Sequence, residues 1–393
     1  MNHGWEKKRL GDVCQILNGY AFKSSKYVTD GGLRIIRIAN VQDGYISDEA
    51  PQFYPEDEIE KLEKYVLVEG DLLMSLTGNV GRVALLPSSM LPAALNQRVA
   101  CLRPVMSLSR KFLFYFLRNK TFVQDCIDAS VGIAQLNLST EWLKDYPVLL
   151  PDQNQQLTIV LELDKINEML EVKRGQLKDL DMLSQSLFYE MFGEPFINSK
   201  GWIITSFGDL ALSINYGTSL PATECGKYPY IRMNNLTDNG YLDLSSLKYI
   251  DIPDSEIDKC IVKKGDILFN RTNSREKVGK TALFDRTEEM VIAGYIIRVR
   301  AKEEILNPVF AVRYMNLPEL KEHLRKICRG AVNQANINSK EMASIPFMVP
   351  PIELQNEFSV RVEAIEEQKR VIESTISDLE VLLASRMDYW FND

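Results

Sequence analysis

The second half of this chain restates the first at an offset of about 195–200 positions. A match of that kind fixes the architecture before any single element is assigned, because a duplicated unit must fold the same way twice. Gly4-Trp5 returns as Gly201-Trp202, and Leu10-Gly11-Asp12 as Phe207-Gly208-Asp209. Ile36-Arg37-Ile38-Ala39-Asn40 parallels Ile231-Arg232-Met233-Asn234-Asn235, and Asp43-Gly44-Tyr45 parallels Asn239-Gly240-Tyr241. Val68 to Leu73 matches Lys263 to Leu268, Gln135 to Leu138 matches Gln334 to Ile337, and Pro147 and Pro151 match Pro346 and Pro350. So long a correspondence in one order is duplication.

Each repeat has a globular part and a helical part. The globular part carries short β-rich runs (Arg34–Ile38, Tyr65–Val68, Val99–Leu102; Tyr228–Met233, Ile267–Asn270, Ile292–Arg300) and helical stretches (Lys111–Asp128, Pro308–Cys328) among Gly, Pro and Asn. That mixture predicts an α+β class. The boundaries fall at residues 1–150 and 194–350 for the two globular domains, with spacer helices at 151–193 and 351–393.

The helices share one register. Leu163, Ile166, Leu170, Lys173, Leu177, Leu180, Ser184 and Leu187 keep the 3-4 spacing of a coiled-coil seam, and a shift of 199 gives Val362, Ile365, Lys369, Ile372, Ile376, Leu379, Leu383 and Arg386. A lone seam of this kind cannot bury itself, so the pattern predicts that the two helices pair antiparallel about a pseudo-twofold axis. At about 1.5 Å per residue, such a helix is a spacer of roughly 60 Å.

Charge is the apparent objection to a nucleic-acid partner, since the formal net charge is −8. Its distribution removes the objection: residues 1–150 are neutral and 194–350 carry +2, while the helical segments carry −4 and −6. The polar N-terminus and the absence of long apolar runs lead us to expect a soluble, cytoplasmic protein. Six scattered cysteines without a CxxC pair and only two histidines predict reduced thiols and no metal site.

The alternation of globular and coiled-coil parts resembles the specificity subunits of type I restriction-modification systems. The carrying residues are the two Gly-Trp openings, Gly70-Asp71-Leu72-Leu73 and Gly265-Asp266-Ile267-Leu268, and the Pro-rich helix entries with Gln155 and Gln355. The junction Met191-Phe192-Gly193-Glu194-Pro195, followed by Asn198 to Trp202, is similar to that family's passage into its second domain. The resemblance implies two target recognition domains, each reading one half of a split double-stranded DNA site, with helices that set the gap and dock two methyltransferase subunits. Those subunits would bring S-adenosylmethionine, so this chain would bind no cofactor; a translocating endonuclease subunit is a further candidate partner.

No Asn-Pro-Pro-Tyr-type motif, GxGxxG or GxxxxGK[ST] is present, so we expect no catalytic residues. The acidic stretches Pro55–Lys61 and Pro253–Lys259 read as solvated helix starts, and His323 as a helix-face residue. Base reading needs guanidinium, amide and hydroxyl groups on accessible loops. In the second repeat these are Asn270, Arg271, Asn273, Ser274, Arg275, Lys277 and Lys280, with Arg329, Gln334 and Asn336. In the first they are Thr77, Asn79 and Arg82, the cluster Asn96-Gln97-Arg98, and Gln135 with Asn137. Arg37 and Arg232 are equally suited to structural ion pairs, and Gly70-Asp71 and Gly265-Asp266 to turns in which Asp caps local amides. Two other readings compete: a two-headed protein scaffold, and a self-contained DNA-modifying enzyme.

Overall fold

A computed structural model of the chain describes residues 4–55, 62–132, 136–331 and 334–392. Its backbone separates into two compact units, Met1–Arg174 with Ser374–Asp393, and Gly175–Glu373. The division falls inside both long helices, so each unit holds one globular part and a piece of each helix. The class is α+β, as the sequence predicts.

In the first unit, strands Cys14–Asn18, Val99–Pro104, Leu72–Ser75 and Val83–Leu85 form an antiparallel sheet in that order. A second sheet takes Phe53–Tyr54, Leu33–Ile36, Ala93–Leu95 and Val66–Leu67, its middle pair parallel. Leu72 and Met74 enter one core cluster and Leu73 another. Because side chains alternate across a strand, burial on both faces requires the unbroken apolar run seen here.

The second unit repeats this plan. Strands Ala211–Tyr216, Ile296–Ala301, Ile267–Asn270 and Thr281–Leu283 form one sheet; Lys248–Ile250, Tyr228–Ile231, Met290–Ile292 and Ile261–Val262 form the other. Ile267 and Phe269 pack into one cluster and Leu268 into the other. In each unit a strand at the Gly-Trp opening pairs with the one before the long helix, Glu6 opposite Leu150 and Ile203 opposite Val349.

Three expected runs are interrupted. Lys111–Asp128 is two helices, Arg110–Phe116 and Lys120–Asp128, because the Asn119 side-chain Oδ1 accepts from Phe122 N at 2.8 Å and caps a new helix. Pro308–Cys328 divides likewise into Pro308–Met315 and Pro318–Ile327, the latter opening on a proline. The run Ile292–Arg300 is broken by a turn at Ala293–Tyr295, where the chain passes from one sheet to the other. Pro253–Lys259 does begin a helix, Asp254–Cys260, whereas residues 56–61 of its counterpart lie outside the described residues.

Asp71 and Asp266 occupy the turns expected of them, accepting from Val68 N at 2.9 Å and Lys263 N at 2.8 Å. Each buried carboxylate also meets an arginine: Arg103 Nε donates to Asp71 at 2.8 Å, and Arg300 Nε to Asp266 at 2.9 Å. Among the described residues, Arg37 and Arg232 form no such ion pair. Their Nη2 groups donate to the carbonyls of Ala50 and Ser246, both at 3.0 Å, so they brace loops.

The long helices run Gln153–Phe192 and Ile352–Phe391, and no residue of either expected seam is exposed. In the first unit Ile166 and Leu170 pack with Leu379, while Glu162 pairs with Arg386 and Arg174 with Glu380. In the second, Phe188 and Phe192 pack on Phe358, and Asp181 pairs with Lys369 at 2.6 Å. Within each unit one number falls as the other rises, so the helices are antiparallel there.

The glutamine that matters at the first helix entry is Gln156, not Gln155. Gln155 is exposed, whereas Gln156 is buried and receives Ser109 N at 2.7 Å while donating to Ser107 and Pro151 carbonyls. Gln355 does the same with Asn307 N, Ile305 O and Pro350 O.

Candidate nucleic-acid interface

In the second unit the chain leaves strand Ile267–Asn270 and Thr272–Asn273 joins a small sheet with Gln334–Asn336 and Arg329–Ala331. Arg271 N donates to Tyr295 O and Ile337 N to Arg271 O, both at 2.9 Å. Segments far apart in sequence, 270–280, 293–295, and 329–331 with 334–337, thus meet at one edge.

Arg271 lies at their junction. Its guanidinium stacks on Tyr216, 4.8 Å from the ring centroid, and donates to Asn336 Oδ1 at 3.1 Å. Asn336 in turn donates to Thr272 Oγ1 at 2.9 Å. A planar cation held on an aromatic face and by an amide loses little freedom on meeting a ligand. Around it, Arg275 and Lys277 are exposed, Arg275 donating to Arg325 O at 3.2 Å. Lys280 pairs with Asp238 at 2.9 Å, and Arg329, itself exposed, pairs with Glu341 at 2.6 Å. Asn273 and Ser274 are half-buried, with Ser274 N bonded to Asn273 Oδ1 at 2.8 Å.

The first unit builds the same edge with different side chains. Thr77 bridges Asn137 along the backbone, and its hydroxyl donates to Asn137 Oδ1 at 2.9 Å. Leu76 N donates to Arg98 O at 3.0 Å, the bond that Arg271 makes to Tyr295 in the second unit. Gln97, Arg98, Asn79 and Asn137 are exposed. Asn96 instead caps its own turn, accepting weakly from Arg98 N, and Arg82 donates to Gln42 Oε1 at 2.7 Å. At both edges a glycine is required: a Cβ on Gly19 would lie 2.2 Å from the Asn96 backbone, and one on Gly217 2.1 Å from Ile292 O.

Two expected readers are turned inward. Asn270 is fully buried, with Oδ1 accepting from Thr272 N at 3.2 Å, because it ends a strand with core on both faces. Thr77 is 6% exposed and spends its hydroxyl on Asn137. Gln135 and the Gln334 side chain lie outside the described residues. The spacing missed Tyr295, 55% exposed in the turn between two strands, and Tyr216 beneath Arg271. Alignment of Asn96-Gln97-Arg98 with Ala293-Gly294-Tyr295 would have found the first.

Among the described residues, no group of three or more His, Cys, Asp or Glu side chains could hold a metal ion, and no helix is long and apolar enough to cross a membrane.

The fold and this edge define a duplicated α+β protein whose repeats share a scaffold and differ in the side chains displayed at one matching place. The sequence profile described as type I restriction modification DNA specificity domain matches residues 2–182 and again 199–380, and the chain belongs to that family. It is 34% identical over 168 residues to the EcoAI specificity subunit of Escherichia coli, a match covering 42% of this chain and 28% of that one. It is 20% identical to the EcoKI specificity subunit of E. coli K12 over 95% of this chain and 85% of that one. With the MjaVIII specificity subunit of Methanocaldococcus jannaschii, 28% identical, the match spans 44% of the relative's length. The S subunit of the M. genitalium type I system shares the fold, with a TM-score of 0.56 at 16% identity, over 100% of this chain and 97% of that one.

Proposed function

We propose that this chain is the non-catalytic subunit that gives a type I restriction-modification complex its sequence specificity, reading a bipartite, asymmetric double-stranded DNA site. Each unit reads one half through the edge described above, and the long helices set the gap between halves. Two methyltransferase subunits that carry S-adenosylmethionine dock on the chain and perform the methyl transfer; a translocating endonuclease completes the restriction form.

The observation that carries this reading is the contrast between repeats. Leu76 and Arg98 stand at the backbone positions of Arg271 and Tyr295, inside one hydrogen-bonding frame. A scaffold held constant while its outward side chains change is what two readers of different sequences require. Arginine suits guanine, and Asn137 and Gln97 suit adenine, by their bidentate donor and acceptor geometry.

Methylome sequencing of cells with and without this chain tests the proposal. Loss of one split methylated motif on deletion is the expected result. An unchanged methylome, or methyl transfer by the purified chain with S-adenosylmethionine alone, would refute it.

A further inference from the structure

Helix Pro318–Ile327 lies behind the 270–280 segment, and three of its residues hold it. Lys321 Nζ donates to Gly279 O at 2.6 Å, and Arg325 O accepts from Arg275 Nε at 3.2 Å. Leu324 packs with Val278 in one core cluster and leaves no room for a Cβ at Gly279, where φ is +82°. Gly279 O also accepts from Thr281 Oγ1 at 3.1 Å, while Gly279 N reaches Asn270 O at 2.8 Å, so this residue closes the base of the loop.

In the first unit the equivalent glycine meets no lysine. Gly81 there faces Cys126 and the backbone of Val123, the latter standing where Lys321 stands. A lysine is therefore not demanded by the shared fold. Drawing an ammonium out of water is costly, and the second unit half-buries Lys321 where its reading loop packs on this helix.

We propose that Lys321 is a positioning residue for sequence reading by the second unit: it holds the Gly279 carbonyl and so fixes the segment carrying Arg271, Arg275 and Lys277 in the form that meets a DNA half-site. This rests on the reading of the chain as a DNA-specificity subunit. The charged groups facing Lys321 are Asp238 and Lys280, themselves paired, and Arg325 from its own helix. Burial pulls Lys321 down to about 7, Asp238 opposes that, and Lys280 and Arg325 add to it. A charged donor bonds a carbonyl roughly twice as strongly as a neutral one. The tether is therefore firm below neutral pH and weaker above it.

The test uses the full chain with its methyltransferase partner in a selection on duplex libraries at pH 6.0 and 8.5, comparing wild type with Lys321→Met. Wild type should lose selectivity at one half-site as pH rises, by up to about tenfold, with the other half unchanged. Lys321→Met should show the reduced selectivity at both pH values. Selectivity equal to wild type at both halves, or equal loss at both, overturns the proposal. The wild-type pH profile decides the matter even if the variant fails to fold, a flat profile being the overturning result. If wild type selects no motif at all, the specificity reading fails instead. Amide exchange of residues 274–280 without DNA then decides the tether: faster exchange in Lys321→Met supports it, and unchanged exchange overturns it.

Discussion

Gln355→Leu removes a clamp whose cost can be worked from its three bonds. The side chain is fully buried; its carbonyl accepts from Asn307 N at 2.9 Å, and its amide donates to Ile305 O at 3.1 Å and Pro350 O at 2.8 Å. Leucine keeps much of the volume and makes none of these bonds. Ile305 is exposed enough for water to replace the lost donor, but Pro350 is buried and Asn307 half-buried, so their lost partners are poorly replaced. Each orphan costs about 1–3 kcal/mol, and the added apolar burial returns about 1.5 kcal/mol, for a net loss of about 2.5 kcal/mol. With a urea slope of about 2 kcal/mol per molar for a unit of this size, the midpoint should fall by about 1.2 M. Amide exchange across a urea series resolves the units: peptides from Pro308–Met315 report the second and from Arg110–Phe116 the first. Gln156→Leu should move the first set as Gln355→Leu moves the second. A shift below about 0.5 M, or both sets moving together in either variant, refutes the idea that each glutamine independently locks its globular part to its helix.

Replacing Arg271 and Arg275 by Ala should relax selection at one half-site only, by roughly 1–3 kcal/mol per lost bidentate contact, as read by selection on randomised duplexes. Equal loss at both halves would mean these cations touch phosphate or support the fold. Deleting one heptad from Gln153–Phe192 should change the permitted gap in the methylated motif or abolish assembly; unchanged spacing with normal binding contradicts the spacer role. The pH dependence of stability should differ between units. Lys321 releases its proton in the folded second unit near pH 7, whereas the unfolded chain keeps it to about 10.4, so that unit's urea midpoint should rise between pH 7 and 8.5. In the first unit burial pushes Cys14 and Cys126 up to about 12, so the folded state keeps protons that the unfolded chain loses, and its midpoint should fall above about pH 9. A flat second-unit profile that is the same in Lys321→Met would contradict the first half of this prediction.

Local and periodic features were legible without coordinates. The 3-4 spacing placed every residue of both seams on the buried face, because an α-helix leaves little choice about which residues share a stripe. The turns at Asp71 and Asp266 were readable because both bonds close within three residues. Asn270 was misjudged because a polar residue at a strand end gives no local sign of which way it faces. Nothing local separates Gln156 from its neighbour, because two of its three partners lie 47 and 49 positions away.

The sequence by itself determined that there are two copies of one unit, that each is α+β, and that two helices must share a seam, since repetition and periodicity are properties of order along the chain. Only the tertiary structure decided that residues 270–280, 293–295, and 329–331 with 334–337 meet, that Arg271 rests on Tyr216, and that Lys321 holds the loop from behind. Those contacts join residues tens of positions apart through sheet pairing and packing, and no local pattern encodes them.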